Sequence, residues 1–422
     1  MKTFGWDTVF IVSEDRLDTL LRANADKVVL NFATSLPNRP EAVAKGKFAP
    51  WQIAQGGSNE IIHLRLPIEE GTLTVGERVF NLPGLSLVVA THLDWLAFGS
   101  EQEHLMFDYN KLGEPGNKPN RGELAVIALQ DPNGVLPVEY NALLGYALGE
   151  YLVQQASQVR FVFATVNLVL PSSSSWLAPR KNAYVYFRRE GTGTGFLAIL
   201  SVTTDRDISN LQRAVDPEAL PIDTNASYVI SNELFLLNVV APGLAKAFGT
   251  GVGTFYYDAS TQALRNYYPL ATGGVTVGAI TYYPIMLKVE VSSGENRLLG
   301  HYEGQADLYA GIFLYFAINS QNPAQYLADQ GALTFLGDPS PSESHQAQIP
   351  WWFFFGGVIV LAIVGIVVDI ISRNLTDVIS NDNRERLAFG KYPPSSILIG
   401  DSSQISVTSM GVNDSLYLYG NV

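Results

Sequence analysis

Along the chain, apolar and polar residues alternate in pairs more often than they recur at helical spacing. Leu287, Val289 and Val291 alternate with Lys288 and Glu290, the period of a strand with one buried face. That strand belongs to a run from Val275 through Tyr282, Tyr283 and Met286 to Val291, which turns at Ser292–Asn296 and returns from Leu298 to Tyr309. A second hairpin is predicted where Ala183–Arg189 and Phe196–Val202, aromatic and β-branched, flank the glycine-rich Glu190–Gly195. Apolar runs at Ile61–Leu66, Leu73–Phe80, Leu85–Ala90, Phe161–Leu170 and Ser415–Tyr419 predict further strands. Gly113, Pro115, Gly116 and Pro119 mark Glu101–Gly122 as an exposed loop.

Helical patterns are few. Ser13 is a suitable N-cap, with Glu14 and Asp15 where the helix dipole favours acids. Over Val138–Gln155, residues Tyr140, Leu143, Leu144, Ala147, Leu148, Tyr151 and Leu152 form one stripe at three- and four-residue spacing. Ser231–Phe248 predicts a helix broken at Pro242, which lacks an amide donor and crowds the preceding turn. Residues 351–368 read WWFFFGGVIVLAIVGIVV without one charge. As a helix they would span about 27 Å, close to the ~30 Å hydrocarbon core of a bilayer. Such a segment can cross a membrane, fill a protein core, or sit in a curved sheet where it lines a lipid groove or leaves it for a membrane. Its glycines and β-branched residues weaken intrinsic helicity, so packing or lipid must stabilise it. The helix over about 351–371 is expected to be at least three-quarters buried and wrapped by sheet. With no repeat or linker in view, the chain reads as a β-rich α+β protein forming a single elongated unit over residues 1–422.

Composition narrows the function. The chain is 47% hydrophobic and only 16% charged, so it must bury an unusual amount of surface or show apolar surface to a partner. A net charge of −13 argues against nucleic acid as a partner. There is no cysteine, hence no disulfide and no thiolate metal site. The opening MKTFGWDTVFIVSEDR lacks the apolar length and cleavage site of a signal peptide, so secretion by the ordinary route is not expected. No nucleophile elbow or phosphate-binding loop occurs. Gly191–Gly195 sits in a hairpin turn, not between strand and helix, which argues against a nucleotide site. The near pairs His92/Asp94 and His104/Asp108 lack a third ligand, so neither an enzyme nor a metal or other cofactor is expected.

Several stretches resemble one family. The opening Thr3-Phe-Gly-Trp-Asp-Thr-Val9 is similar to the start of the forty-seven-kilodalton proteins of clostridial Orf-X-type neurotoxin gene clusters. Similar too are Tyr151-Leu152, Val159–Leu168, Tyr228–Phe235 with the following Pro242, Pro350-Trp-Trp352, and Ser415-Leu-Tyr-Leu-Tyr-Gly420. The resemblance implies a tubular lipid-binding (TULIP-like) fold, in which strongly curved antiparallel sheet wraps two long apolar helices, at about 138–155 and 351–371. It further implies a bacterial, non-enzymatic toxin accessory protein, linked to clusters that include insect-active ones. The implied partners are an apolar ligand or phospholipid and other proteins of the same cluster. The implied location is cytoplasmic, or outside by a non-classical route. Two helices with wide apolar faces and a sheet that cannot close on both would leave an apolar cleft. Its candidate wall is Leu144, Leu148, Tyr151, Leu152, Trp351, Trp352, Phe354, Val358 and Ile363. The alternative is a membrane-inserting toxin component that uses 351–371 as its insertion element.

Overall fold

A computed structural model describes residues 1–114, 116–221, 223–309, 311–347, 356–369 and 384–422. Three sheets dominate it, antiparallel except where Tyr109–Leu112 runs parallel to Gly122–Gln130. The central sheet has the order Lys181–Arg188, Gly195–Val202, Thr8–Ser13, Ala226–Ile230, Ser415–Asn421, Ser406–Asn413, so both ends and the middle of the chain meet there. Thr8–Ser13 is buried throughout because both its faces are covered. Phe10 and Val12 enter the main core, while Val9 and Ile11 enter a smaller one that includes Ala219 and Leu220. A strand buried on both faces reads as a continuous apolar run instead of an alternating one.

The N-terminal sheet runs through Asn31–Leu36, Arg39–Phe48, Ile61–Val75, Ser86–Phe98, Gln102–Phe107 and Val162–Asn167 to Ile397–Ile399. The C-terminal sheet runs through Phe255–Asp258, Ala263–Asn266, Ile285–Gly294, Arg297–Asp307, Phe313–Leu327 and Ala332–Phe335, and Ser342–Ala347 pairs along the first half of Phe313–Leu327. The sheet is curled, in keeping with the β-rich α+β architecture expected. One main core extends from Phe10 through the N-terminal sheet and on through Leu314, Phe316 and Ile318 to Leu418.

The predicted hairpins are present, with shifted edges. The strand from Ile285 continues to Gly294, and the turn is the pair Glu295–Asn296 with φ of 51° and 58°. Positive φ at both central residues matches the right-handed twist of the flanking strands. Between Met286 and Lys288 the register slips, which takes Leu287 out of the buried row and leaves it 39% exposed. Leu73–Phe80 is two strands, since Gly76 and Glu77 turn the chain from Ile61–Val75 into Arg78–Asn81. Glu101–Gly122 is only in part a loop. Gln102–Phe107 and Tyr109–Leu112 are strands, with Leu105, Phe107 and Tyr109 buried.

The helices correct the expectation more sharply. Helix α1, Glu14–Ala23, follows Ser13 at its N-cap position, yet the serine makes no side-chain capping bond. Helix α2, Val138–Gln154, buries Leu144, Ala147, Leu148 and Leu152, together with Gly145 and Gly149. A Cβ on Gly149 would lie 2.5 Å from Val126 Cγ2, so the glycines bring α2 close to the strand Gly122–Gln130. Asn141, at the edge of the apolar stripe, donates to Leu129 O at 3.1 Å. Pro242 does not break its helix. Helix α3, Asn232–Phe235, passes through a π turn over Leu236–Val240 into α4, Ala241–Ala247, and the wider turn absorbs the residue that cannot donate. Helix α5 is described over Gly356–Asp369. Arg384–Leu387 forms the short α6. Among the described residues two long apolar helices are therefore not found: α2 is long but amphipathic in position, and the described part of α5, Gly356–Asp369, spans about 21 Å.

Candidate functional site

Helix α5 is built from glycine and aliphatic residues from Gly356 to Val368, and no side chain there can donate or accept a hydrogen bond. One side is buried: Val360, Ile363, Val364 and Val367 enter the main core. That side lies against the strands Val275–Val277, Phe313–Leu327 and Ser342–Ala347. The other side is not covered, for Leu361 is 58% exposed and Ile366 38%. The expected three-quarters burial is thus not met over the described side chains. A curled sheet closes over one face of a helix, and at α5 nothing among the described residues closes over the other.

The hairpin beside α5, Val275–Val277 with Ile280–Tyr282, turns at Gly278, whose φ of 63° suits glycine. Tyr309 Oη donates to Thr281 O at 3.2 Å, and its ring lies 5.8 Å from that of Tyr282. Ile312 N in turn donates to Tyr309 O, which places Phe313 next to this corner.

The described candidate wall residues lie on two different helices against two different sheets. Leu144, Leu148 and Leu152 are fully buried and Tyr151 half-buried on α2, which packs on Gly122–Gln130, Asn31–Leu36 and Tyr109–Leu112 of the N-terminal sheet. Ile363 is fully buried on α5, against the C-terminal sheet. Trp351, Trp352 and Phe354 lie outside the described residues, as does the side chain of Val358. Four surface clefts have volumes between about 130 and 510 Å³, and none of the four is lined by a candidate.

The histidine pairs do not assemble into a reactive centre. His92 Nε2 lies 3.0 Å from Pro119 O, and His104 stacks on Phe98 with ring centroids 4.4 Å apart. Burial pushes the His104 imidazole below its usual range, against a smaller opposing pull from Asp401. A cluster not anticipated from sequence joins His301 to Glu303 Oε1 at 2.8 Å and to Asn319 Oδ1 at 2.7 Å. Its hydrogen bond from His301, ahead of a smaller opposing effect of burial, holds the Glu303 carboxyl below the usual range. Residues two apart on one strand share a face with the residue opposite on the next, but only the pairing of Arg297–Asp307 with Phe313–Leu327 reveals Asn319 as that residue. Among the described residues no group of three His, Asp or Glu side chains is placed to hold a metal ion.

Gly5-Trp6-Asp7, the most distinctive part of the opening, is architectural. Trp6 Nε1 donates to Gln212 O at 2.9 Å. Asp7 accepts from Thr203 N at 2.6 Å, Thr203 Oγ1 at 2.8 Å and Arg206 at 2.6 Å. A Cβ on Gly5, at φ 88°, would lie 2.9 Å from Leu211 Cδ2. The three residues therefore clamp the segment 203–212 beside the central sheet. They also line a cleft of about 510 Å³ in which Phe4, Leu211 and Tyr257 are mixed with Arg206, Glu233 and Asp414.

Comparison with known proteins follows this geometry. The family model described as OrfX-like, Protein OrfX2/OrfX3/P47, matches residues 3–377. Protein P47 of Clostridium botulinum (strain Kyoto / Type A2) is 27% identical over 375 residues, covering 87% of each chain. Protein OrfX3 of the same strain is 24% identical over 283 residues, 60% of this chain and 56% of its own. Two solved structures share the fold. P47 from Clostridium botulinum A2 superposes with a TM-score of 0.79 at 23% identity, covering 100% of this chain and 98% of that one. P47 of Clostridium botulinum E1 superposes with a TM-score of 0.76 at 22% identity, covering both chains in full.

Proposed function

From the premise that this chain belongs to the OrfX-like family of OrfX2, OrfX3 and P47 proteins, we propose that it is a non-catalytic accessory protein of a toxin-type gene cluster that binds an apolar ligand or phospholipid. The observation that carries this reading is the outward face of α5. Leu361 and Ile366 stand in water on a helix without one hydrogen-bonding side chain over 356–368. Leaving such a face in water is unfavourable, by about 25 cal/mol for each Å² of apolar surface. An acyl chain laid along it would remove that surface from water and leave no polar group unsatisfied. The β-rich curled architecture supports the tubular lipid-binding arrangement that the family resemblance implies. The cleft first expected between α2 and α5 is replaced in this reading by the exposed side of α5. Other proteins of the same cluster are the second class of partner, and the charge of −13 disfavours nucleic acid.

The test is extraction of the purified protein with organic solvent followed by mass spectrometry, alongside titration with a fluorescent acyl probe. Co-purifying lipid, or saturable probe binding weakened by Leu361→Ser with Ile366→Ser, supports the reading. A folded wild type that carries no lipid and binds none of the common phospholipids or fatty acids overturns it. The membrane-inserting alternative draws on the same exposed face. No helix among the described residues is long and apolar enough to cross a membrane.

A further inference from the structure

Beside α5, the C-terminal sheet ends in a cluster of exposed apolar and aromatic side chains. Ile280 is 44% exposed, Tyr283 69%, Tyr309 54%, Phe313 43% and Tyr315 51%. They lie at one end of the sheet and on the two-stranded hairpin beside it. Tyr309 is bonded to the hairpin that carries Ile280, and Phe313 opens the strand whose solvent side bears Tyr315. The hairpin strand Val275–Val277 also packs on α5. The pairing of Asp307 with Phe313 and of Gln305 with Tyr315 keeps both aromatic rings on the outer surface. We propose that this end of the sheet docks on the surface of an electrically neutral lipid bilayer, an inference that rests on the lipid-binding reading above.

Two features select that occupant. The first is the distribution of polar atoms. Tyr283, Tyr309 and Tyr315 each carry one hydroxyl on a large aromatic body, and Ile280 and Phe313 add purely apolar surface. Aromatic residues with a polar tip around an aliphatic centre match the boundary between headgroups and acyl chains. The second is charge. Across the described residues of 275–285, 307–317 and 356–369 the only charged side chains are Asp307 and Asp369, and the whole chain carries −13. Glu303 and His345 share a cleft with Tyr315, and Lys288 beside them is paired with Glu290 and Glu303. The described residues of the patch thus carry no net positive charge at neutral pH, so an anionic surface repels it and a zwitterionic one does not.

The experiment is sedimentation of the full chain with phosphatidylcholine vesicles, and with vesicles in which about one-fifth of the lipid is phosphatidylglycerol, at low ionic strength. Wild type is expected to bind the neutral vesicles and to bind the anionic ones less. Tyr283→Ser with Phe313→Ser is expected to weaken binding at least about tenfold, since two aromatic side chains no longer leave water, while the melting temperature changes little because both positions are exposed. Wild type remaining in the supernatant overturns the proposal, as does a folded double variant that binds like wild type, or binding strengthened by the anionic lipid. Self-association abolished by the double variant, without vesicle binding, also overturns it and assigns the patch to a second copy of the chain. Lipid extracted from a protein that ignores vesicles would sink the docking surface and leave the ligand reading standing. Vesicle binding by a protein that carries no ligand would do the reverse.

Discussion

Ile363 and Leu361 sit two residues apart on α5, and their contrast measures whether that helix is docked by one side. Ile363 is fully buried in the main core, whereas Leu361 is 58% exposed. Ile363→Ala deletes three carbon atoms, worth roughly 2.4 kcal/mol of transfer free energy at about 0.8 per carbon. The surrounding side chains can close only part of the space, so a cavity contribution brings the cost to about 3–4 kcal/mol. Leu361→Ala deletes as many carbons from a side chain that is mostly in water, and its cost is expected within about 0.5 kcal/mol. The unfolding entropy of a chain this long is about 0.9 kcal/mol/K, so Ile363→Ala should lower the melting temperature by about 4 °C and Leu361→Ala by under about 1 °C. Urea unfolding followed by circular dichroism reads the same difference as a shift in midpoint at constant slope. The ligand readout should run the other way, with Leu361→Ala weakening acyl-probe binding and Ile363→Ala leaving it intact below its transition. Equal destabilisation by the two substitutions would show that the chain covers both sides of α5. No destabilisation by either would show that α5 is not docked.

Three further substitutions probe other parts of the structure. Burial, with smaller contributions from Glu14 and Asp15, pushes the Asp18 carboxyl up to about 6 from 3.8. The folded state therefore holds this proton more tightly than the unfolded one, and the stability it confers is present below about pH 4 and lost as pH rises through about 6. Asp18→Asn keeps an acceptor for Ile53 N, now 2.7 Å away. It should stabilise by about 1 kcal/mol at pH 7, after allowance for the group's partial exposure, and leave stability at pH 4 unchanged in parallel urea titrations. Leu148→Trp should destabilise by about 1–3 kcal/mol and leave acyl-probe binding untouched, because Leu148 is buried in packed core and lines no cleft; probe binding lost in a fully stable variant would reinstate a cleft at α2. Arg206→Ala removes the ion-pair partner of Asp7, which is 5% exposed. It should cost about 2 kcal/mol and speed proteolysis within the clamped segment 203–212, whereas an unchanged cleavage pattern would mean that Trp6 and the Asp7–Thr203 bonds hold it without the arginine.

What could be read from the chain depended on whether an element's environment left a periodic trace. Arg297–Asp307 and Phe313–Leu327 alternate because one face is core and the other water, and hairpins with such strands are legible. Gln102–Phe107 was obscured because the glycines and prolines from 113 to 119 belong to the neighbouring connection, and they outweighed Leu105 and Phe107. The sidedness of α5 leaves no trace at all, for a helix aliphatic all round looks the same whichever face is docked. Gly145 and Gly149, poor helix formers by propensity, set how closely α2 lies on the sheet.

The stretches that best marked the family have a common physical character. Gly5-Trp6-Asp7 clamps a segment to the central sheet. Gly420 pairs with Ala226 on one side and Val407 on the other, and a Cβ there would stand 2.2 Å from Ser406 O. A backbone atom cannot move aside as a flexible side chain can, so this position admits only glycine without a shift of the strand. Such residues are demanded by one backbone geometry, which makes them recognisable over short stretches. Apolar contacts with a ligand demand only a side chain of suitable size, and many residues satisfy them equally. The stretches that reveal this family therefore report how the central sheet is assembled. Under the proposed lipid-binding function, the acting surface lies where the described chain leaves apolar groups uncovered, at α5 and the aromatic end of the C-terminal sheet.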